Sequence, residues 1–111
     1  MKDKGRIRFM RLVLFFDLPV ETSKQRKDYR SFRKFLLKDG YLQLQESVYV
    51  KLVLNDGLAS AAVNRARKNK PPEGLVQVLK VTESQFATME CIVGDEVEHD
   101  EIDSMETLLV L

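Results

Sequence analysis

The stretch MRLVLFFDLP, residues 10–19, decides how the rest of this chain is read. It is the most apolar run of the sequence, and its bulky and β-branched residues predict a strand covered on at least one face. One carboxylate, Asp17, interrupts the run just before Pro19 turns the chain. An ionised carboxylate is costly to bury alone, so Asp17 is expected at a solvent-reaching strand end, beside a partner, or both. The residues that follow, 21–39, are the most basic helix-like segment of the chain. A functional reading has to join a strand, a lone acid, a turn and a basic helix.

Working outward, Thr22 or Ser23 can cap a helix over residues 21–39, and Gly40 is placed to stop it in the left-handed conformation. Tyr29, Phe32, Phe35 and Leu36 recur at helical spacing and form its apolar face. At about 100° per residue, Arg26, Arg30, Arg33 and Lys34 fall on a stripe nearly opposite. Residues 41–45 predict a short strand and 47–54 a longer one, with a hairpin or bulge at Glu46. Along the longer strand, Val48, Val50, Leu52 and Leu54 share one face, and Ser47, Tyr49, Lys51 and Val53 the other. Asn55-Asp56-Gly57 supplies a turn and a cap for a helix over residues 58–69. That helix is rich in Ala59, Ala61, Ala62 and Ala66, so its backbone can lie close to a sheet. Lys70-Pro71-Pro72-Glu73-Gly74 ends it, residues 75–82 predict a fourth strand, and residues 87–93 a fifth.

Strand, helix, strand, strand, helix, strand is the βαββαβ order of ferredoxin-like α+β domains, an antiparallel sheet with both helices on one face. The helix-free face is left open. Tyr49 and Val53 are read as part of it, to be covered by nucleic acid, a ligand or a second subunit. The extra fifth strand is a candidate for crossing to that subunit.

A chain of 111 residues fits one domain, here residues 10–94, behind a basic arm over residues 1–9. No apolar run is long enough for a membrane span, and the arm lacks the apolar stretch of a secretory signal. Cys91 is the only cysteine, which excludes an internal disulfide and a multi-cysteine zinc cluster. A cytoplasmic location, without membrane contact, is the simplest expectation. The net charge of +1 conceals a strong asymmetry: residues 1–80 carry all 18 Lys and Arg against 8 Asp and Glu, whereas residues 81–111 carry 9 acids and no Lys or Arg. A body facing a polyanion and a tail with a separate task would produce this pattern. Residues 95–111 form an acidic linker followed by Thr107-Leu108-Leu109-Val110-Leu111, an apolar end that suits an added strand on a partner's sheet edge or a closing strand on its own.

Few residues here could carry chemistry. His99, the only histidine, lies in the acidic linker, and no phosphate-binding Gly loop, nucleophile triad or metal-spaced cluster occurs. Asp17 remains. Magnesium needs only one or two protein carboxylates when water and phosphate oxygens complete its shell, and a two-fold dimer would bring two copies of Asp17 together. The competing structural role is acceptance of hydrogen bonds from the following turn. Lys24, Arg26, Lys27, Arg30, Arg33, Lys34 and Lys38 would line about 20 Å of helix with cations, which suits sequence-independent contacts to duplex phosphates.

These residues resemble the CRISPR-associated Cas-two family, the small subunit of the spacer-acquisition machinery. The resemblance rests on Phe16-Asp17-Leu18-Pro19, on the helix Tyr29-Arg30-Ser31-Phe32-Arg33-Lys34-Phe35-Leu36, and on Gly40-Tyr41 followed by Gln45-Glu46-Ser47-Val48-Tyr49. It covers residues 10–93 in matching order, and the helix is most similar to members that accompany the Cas-nine effector. It implies a homodimer formed through the sheets, placed between two dimers of the Cas-one integrase and holding double-stranded protospacer DNA for insertion at a CRISPR repeat. It also implies that Asp17 is the strand-end aspartate that two subunits direct towards each other, a catalytic and magnesium-binding residue. Endonuclease activity on single-stranded RNA or double-stranded DNA is attributed to some members, although the part played in the integrase complex is structural. Leu108, Leu109, Val110 and Leu111 are then expected to dock the integrase.

Overall fold

The computed structural model describes residues 9–94. In chain order it contains β1 (Met10–Asp17), α1 (Ser23–Lys38), β2 (Leu42–Gln45), β3 (Val48–Val53), α2 (Asp56–Lys68), β4 (Leu75–Thr82) and the short α3 (Glu83–Ala87). The four strands form one antiparallel sheet in the order β2-β3-β1-β4. This is the ferredoxin-like α+β arrangement expected from the order of elements. No helix among the described residues is long and apolar enough to cross a membrane. The basic arm, apart from Phe9, and the linker and terminus over residues 95–111 lie outside the described residues.

A strand paired on both sides and largely buried reads as a continuous apolar run, and β1 is such a strand, paired with β3 and β4 and exposed only at Phe15 and Asp17. Leu12, Leu14 and Phe16 enter the main core with Phe32 and Leu36 of α1 and with Ala59, Ala62 and Ala66 of α2. The three alanines let α2 approach the sheet closely. Phe16 anchors this layer, stacking on Tyr49 at 5.7 Å and meeting Tyr29 and Phe32 edge-on at 5.6 and 5.8 Å.

Local signals set the helix ends. Thr22 Oγ1 accepts from the Gln25 amide at 3.1 Å, and Gln25 Oε1 accepts from the Thr22 amide at 3.0 Å, a complete capping box. At the far end Gly40 has φ +97°, its amide donates to the Leu37 carbonyl, and the Tyr41 amide donates to that of Leu36. That pair of bonds satisfies carbonyls the helix leaves open, and the left-handed glycine allows it. Asn55 caps α2 by accepting from the Leu58 amide at 2.8 Å.

Two expectations are corrected. Residues 87–93 form no strand; the chain turns instead into α3, because Thr82 and Gln85 make a second capping box and divert the backbone from the sheet. The faces of β3 are also exchanged: Tyr49 and Val53 belong to the helix-covered core, and the opposite face carries Val48 and Val50 with Val13 and Leu44. The hairpin turn falls at Glu46-Ser47, with a bulge between Gln43 and Gln45 that resets the register.

Candidate functional site

Cross-strand partners in an antiparallel pair share a face. The register of β1 therefore places Arg11, Val13, Phe15 and Asp17 beside Val81, Leu79, Gln77 and Leu75 on the side away from α1 and α2. Asp17 is exposed at the end of this row. Around it the face is apolar, with Phe15 38 %, Leu79 52 % and Leu75 56 % exposed. The Phe16 amide donates to the Ser47 carbonyl at 3.1 Å, which ties the last turn of β1 to the β2–β3 hairpin. Gly74, at φ +96°, passes so close that a Cβ there would lie 2.7 Å from the Asp17 carbonyl oxygen. A tight backbone crossing thus fixes where the carboxylate emerges.

Asp17 stands on a strand end, not inside a cavity. The groove between α2 and β4, about 530 Å³ and lined by Leu12, Val63, Asn64, Arg67, Val76 and Lys80, does not include it. No group of three or more His, Cys, Asp and Glu placed to hold a metal ion occurs among the described residues. One carboxylate on an exposed edge fits a hydrated hard cation that draws its other ligands from water, phosphate oxygens or a second copy of the chain.

All seven predicted cations of α1 are exposed, but they are not equivalent. Arg26 turns back, its Nη1 donating to the Val20 and Glu21 carbonyls at 3.0 Å each. Arg33 leans onto β2, donating to Gln43 Oε1 at 3.2 Å. Burial pushes the Tyr49 hydroxyl above its ordinary pKa, and the Arg33 guanidinium beside it pulls the other way. Lys24 pairs with Asp28 one turn on at 3.2 Å. Lys27, Arg30, Lys34 and Lys38 have no ion-pair partner among the described residues. Their spacings of three, four and four residues keep them on one stripe about 16 Å long. The structure therefore shifts the available stripe from Arg26, Arg30, Arg33 and Lys34 to these four. Intrahelical spacing alone contains no signal of this, since the loop and strand that engage Arg26 and Arg33 are not on the helix.

The far end of α1 is held by a mixed network. Asp39 Oδ1 accepts from Arg65 Nε of α2 at 2.8 Å, and the Asp39 carbonyl accepts from Lys51 Nζ of β3 at 2.6 Å. Burial lowers the Lys51 pKa from its ordinary value, partly offset by Asp39. These groups position the helix and are not free for a ligand. His99, Leu108, Leu109, Val110 and Leu111 lie outside the described residues. The clearest omission of the sequence reading is the apolar patch of Phe15, Leu75 and Leu79, whose signal was the Asp17-to-Leu75 register once β3 was turned over.

These features define the class as a small ferredoxin-like α+β domain, with a strand-end aspartate on the helix-free side of its sheet and a cationic helix on the other. The sequence profile of the family described as CRISPR associated protein Cas2 matches residues 10–89. A Treponema denticola protein is 51 % identical over 102 residues, spanning 92 % of this chain and all of the relative. A Streptococcus mutans protein is 46 % identical over 86 residues, 78 % of this chain and 79 % of its own, and a Campylobacter jejuni protein is 38 % identical over 104 residues, 94 % and 72 %. All three are named CRISPR-associated endoribonuclease Cas2. This chain belongs to the Cas2 family and is a CRISPR-associated protein.

Proposed function

We propose that this protein is a dimeric scaffold of CRISPR spacer acquisition, which binds double-stranded protospacer DNA through phosphate contacts and bridges Cas-one integrase dimers. The observation that carries this reading is the stripe of Lys27, Arg30, Lys34 and Lys38, exposed cations with no ion-pair partner among the described residues. Nothing on that stripe is shaped to read base edges, so the contacts are independent of sequence. The apolar patch of Phe15, Leu75 and Leu79 supports a homodimer through the helix-free faces, because so much exposed apolar surface on one side calls for a cover. Residues 107–111 are then the integrase-docking segment, and the working location is the cytoplasm.

A second reading is favoured by Asp17 itself and by the names of the relatives. A dimer through the helix-free faces would place two Asp17 carboxylates on the same side of each chain's sheet, as donors for one magnesium ion. When bound, such an ion supplies Lewis-acid stabilisation of phosphoryl oxygens in phosphodiester cleavage. Asp17 would orient it, and the flanking apolar residues would limit water to the exposed edge.

The deciding experiment measures spacer acquisition in cells carrying Asp17→Ala or the triple variant Lys27→Glu, Arg30→Glu, Lys34→Glu, with each protein verified as folded. The scaffold reading expects normal acquisition from Asp17→Ala and loss of both acquisition and duplex binding from the triple variant. Lost acquisition in Asp17→Ala with duplex binding intact overturns it in favour of the magnesium-dependent endonuclease.

A further inference from the structure

The charge of this chain is divided between a cationic helix and an acidic segment after residue 94. Residues 95–106 contain Asp95, Glu96, Glu98, Asp100, Glu101, Asp103 and Glu106, and no Lys or Arg. The stripe on α1 presents four cations without an ion-pair partner among the described residues. We propose that residues 95–106 dock on Lys27, Arg30, Lys34 and Lys38 of the same chain and compete with nucleic-acid phosphates for them. This inference rests on the reading of α1 as the duplex-binding surface and adds its regulation.

Reach permits the contact. The described chain ends at Gly94 after α3, whose Phe86 packs on the helix-free face against Val13, Leu44 and Val50. The tail must therefore pass a sheet edge to reach α1. A sheet with one helical layer is about 20 Å thick. Twelve extended residues span up to roughly 40 Å, which covers that passage and leaves several acids to lie along the 16 Å stripe.

Complementarity favours α1 over the other basic element. On α2, Arg65 is paired with Asp39 and Arg67 donates to Asn64 Oδ1 at 3.2 Å. Lys80, at the mouth of the α2–β4 groove, is paired with Asp56 at 2.7 Å. The α1 stripe offers four consecutive cations at helical spacing, so a polyanionic strand meets them in series as a phosphate backbone does. Tethering makes weak contacts count: a short linker gives an effective concentration of roughly millimolar, against non-specific duplex dissociation constants of about 10⁻⁴ to 10⁻⁶ M. A tail seated nine-tenths of the time weakens duplex binding about tenfold. Because both contacts are electrostatic, the tail sets a threshold that only a polyanion denser in charge than itself displaces.

The test uses the full chain. In one variant the seven acids are replaced by their amides: Asp95→Asn, Glu96→Gln, Glu98→Gln, Asp100→Asn, Glu101→Gln, Asp103→Asn and Glu106→Gln. Duplex affinity at about 50 mM salt is expected to rise about tenfold, and the gap to close as salt shortens the screening length. Net charge alone would also raise affinity, so a second measurement locates the tail. A spin label at Ser104→Cys, in a Cys91→Ser background, is expected to broaden the amide signals of residues 27–38. That broadening should vanish at high salt and on addition of duplex DNA. Broadening absent from α1, or concentrated on the α2–β4 groove, overturns the proposal, as does broadening that saturating duplex leaves in place. Failure of the underlying reading is separate: there, Arg30→Glu with Lys34→Glu removes the broadening while duplex affinity stays at the wild-type value.

Discussion

Arg11 and Glu83 meet across 72 residues in a bidentate pair, Nε to Oε1 at 2.6 Å and Nη2 to Oε2 at 2.8 Å. The Arg11 side chain is 2 % exposed, and its Cζ lies 4.5 Å from the centre of the Phe86 ring. This pair holds α3 against β1. A charge buried to this degree needs compensation by its neighbours.

Replacing Glu83 by Ala is therefore expected to destabilise the fold by about 2–3 kcal/mol, less than a fully buried pair would cost because the carboxylate is partly exposed. The double replacement Arg11→Met, Glu83→Leu should recover part of the loss, since the buried guanidinium is then gone. Urea denaturation of the three proteins checks both. A double variant weaker than Glu83→Ala would contradict the assignment.

Gly74 controls the strand end that carries Asp17. With φ +96° and a Cβ position 2.7 Å from the Asp17 carbonyl oxygen, Gly74→Ala meets both backbone strain and a backbone clash. The expected cost is roughly 2–4 kcal/mol, with the amide signals of Asp17 and Leu18 displaced well beyond those of β3. Wild-type stability in this variant would show that the loop relaxes freely and does not fix the carboxylate.

The α1 cations should separate by their neighbours. Single replacements of Lys27, Arg30 or Lys34 by Gln are each expected to lower the slope of log K against log salt for duplex DNA by about one. Arg26→Gln and Arg33→Gln should change it less, because those side chains are already engaged by Val20, Glu21 and Gln43. Equal slopes for all five would mean that the inward contacts do not hold in solution.

Tyr41 predicts the alkaline limit of the fold. Its hydroxyl is pushed up to about 12, chiefly by burial and further by Asp39. The unfolded chain ionises from its ordinary value near 10, so the fold's advantage is complete below pH 10 and lost progressively between pH 10 and 12. That loss is on the order of 3 kcal/mol for this group. Lys51, whose pKa is lowered, contributes with the opposite sign below its unfolded value of 10.5. The comparison that isolates Tyr41 is consequently wild type against Tyr41→Phe. Since the buried hydroxyl has no hydrogen-bond partner among the described residues, the variant is expected within about 1 kcal/mol of wild type at pH 7 and more stable than it at pH 11. Parallel pH profiles would refute this.

The amino-acid sequence by itself determined the order and type of the elements from β1 to β4, and the position of Asp17 at the end of β1. These depend on local chemistry: a continuous apolar run at β1, a cap at Thr22, a left-handed stop at Gly40, alanines spaced along α2. It also contained the capping pattern of Thr82 and Gln85, which starts α3 directly after β4. Only the tertiary structure decided which side of β3 turns inward. Both of its faces are apolar, so alternation alone leaves the choice open, and the stack of Tyr49 on Phe16 makes it. That choice places Asp17 among Phe15, Leu75 and Leu79 on the helix-free side. The tertiary structure also selected which α1 cations stay available, because Arg26 and Arg33 are claimed by groups in a loop and a strand that helical spacing cannot register.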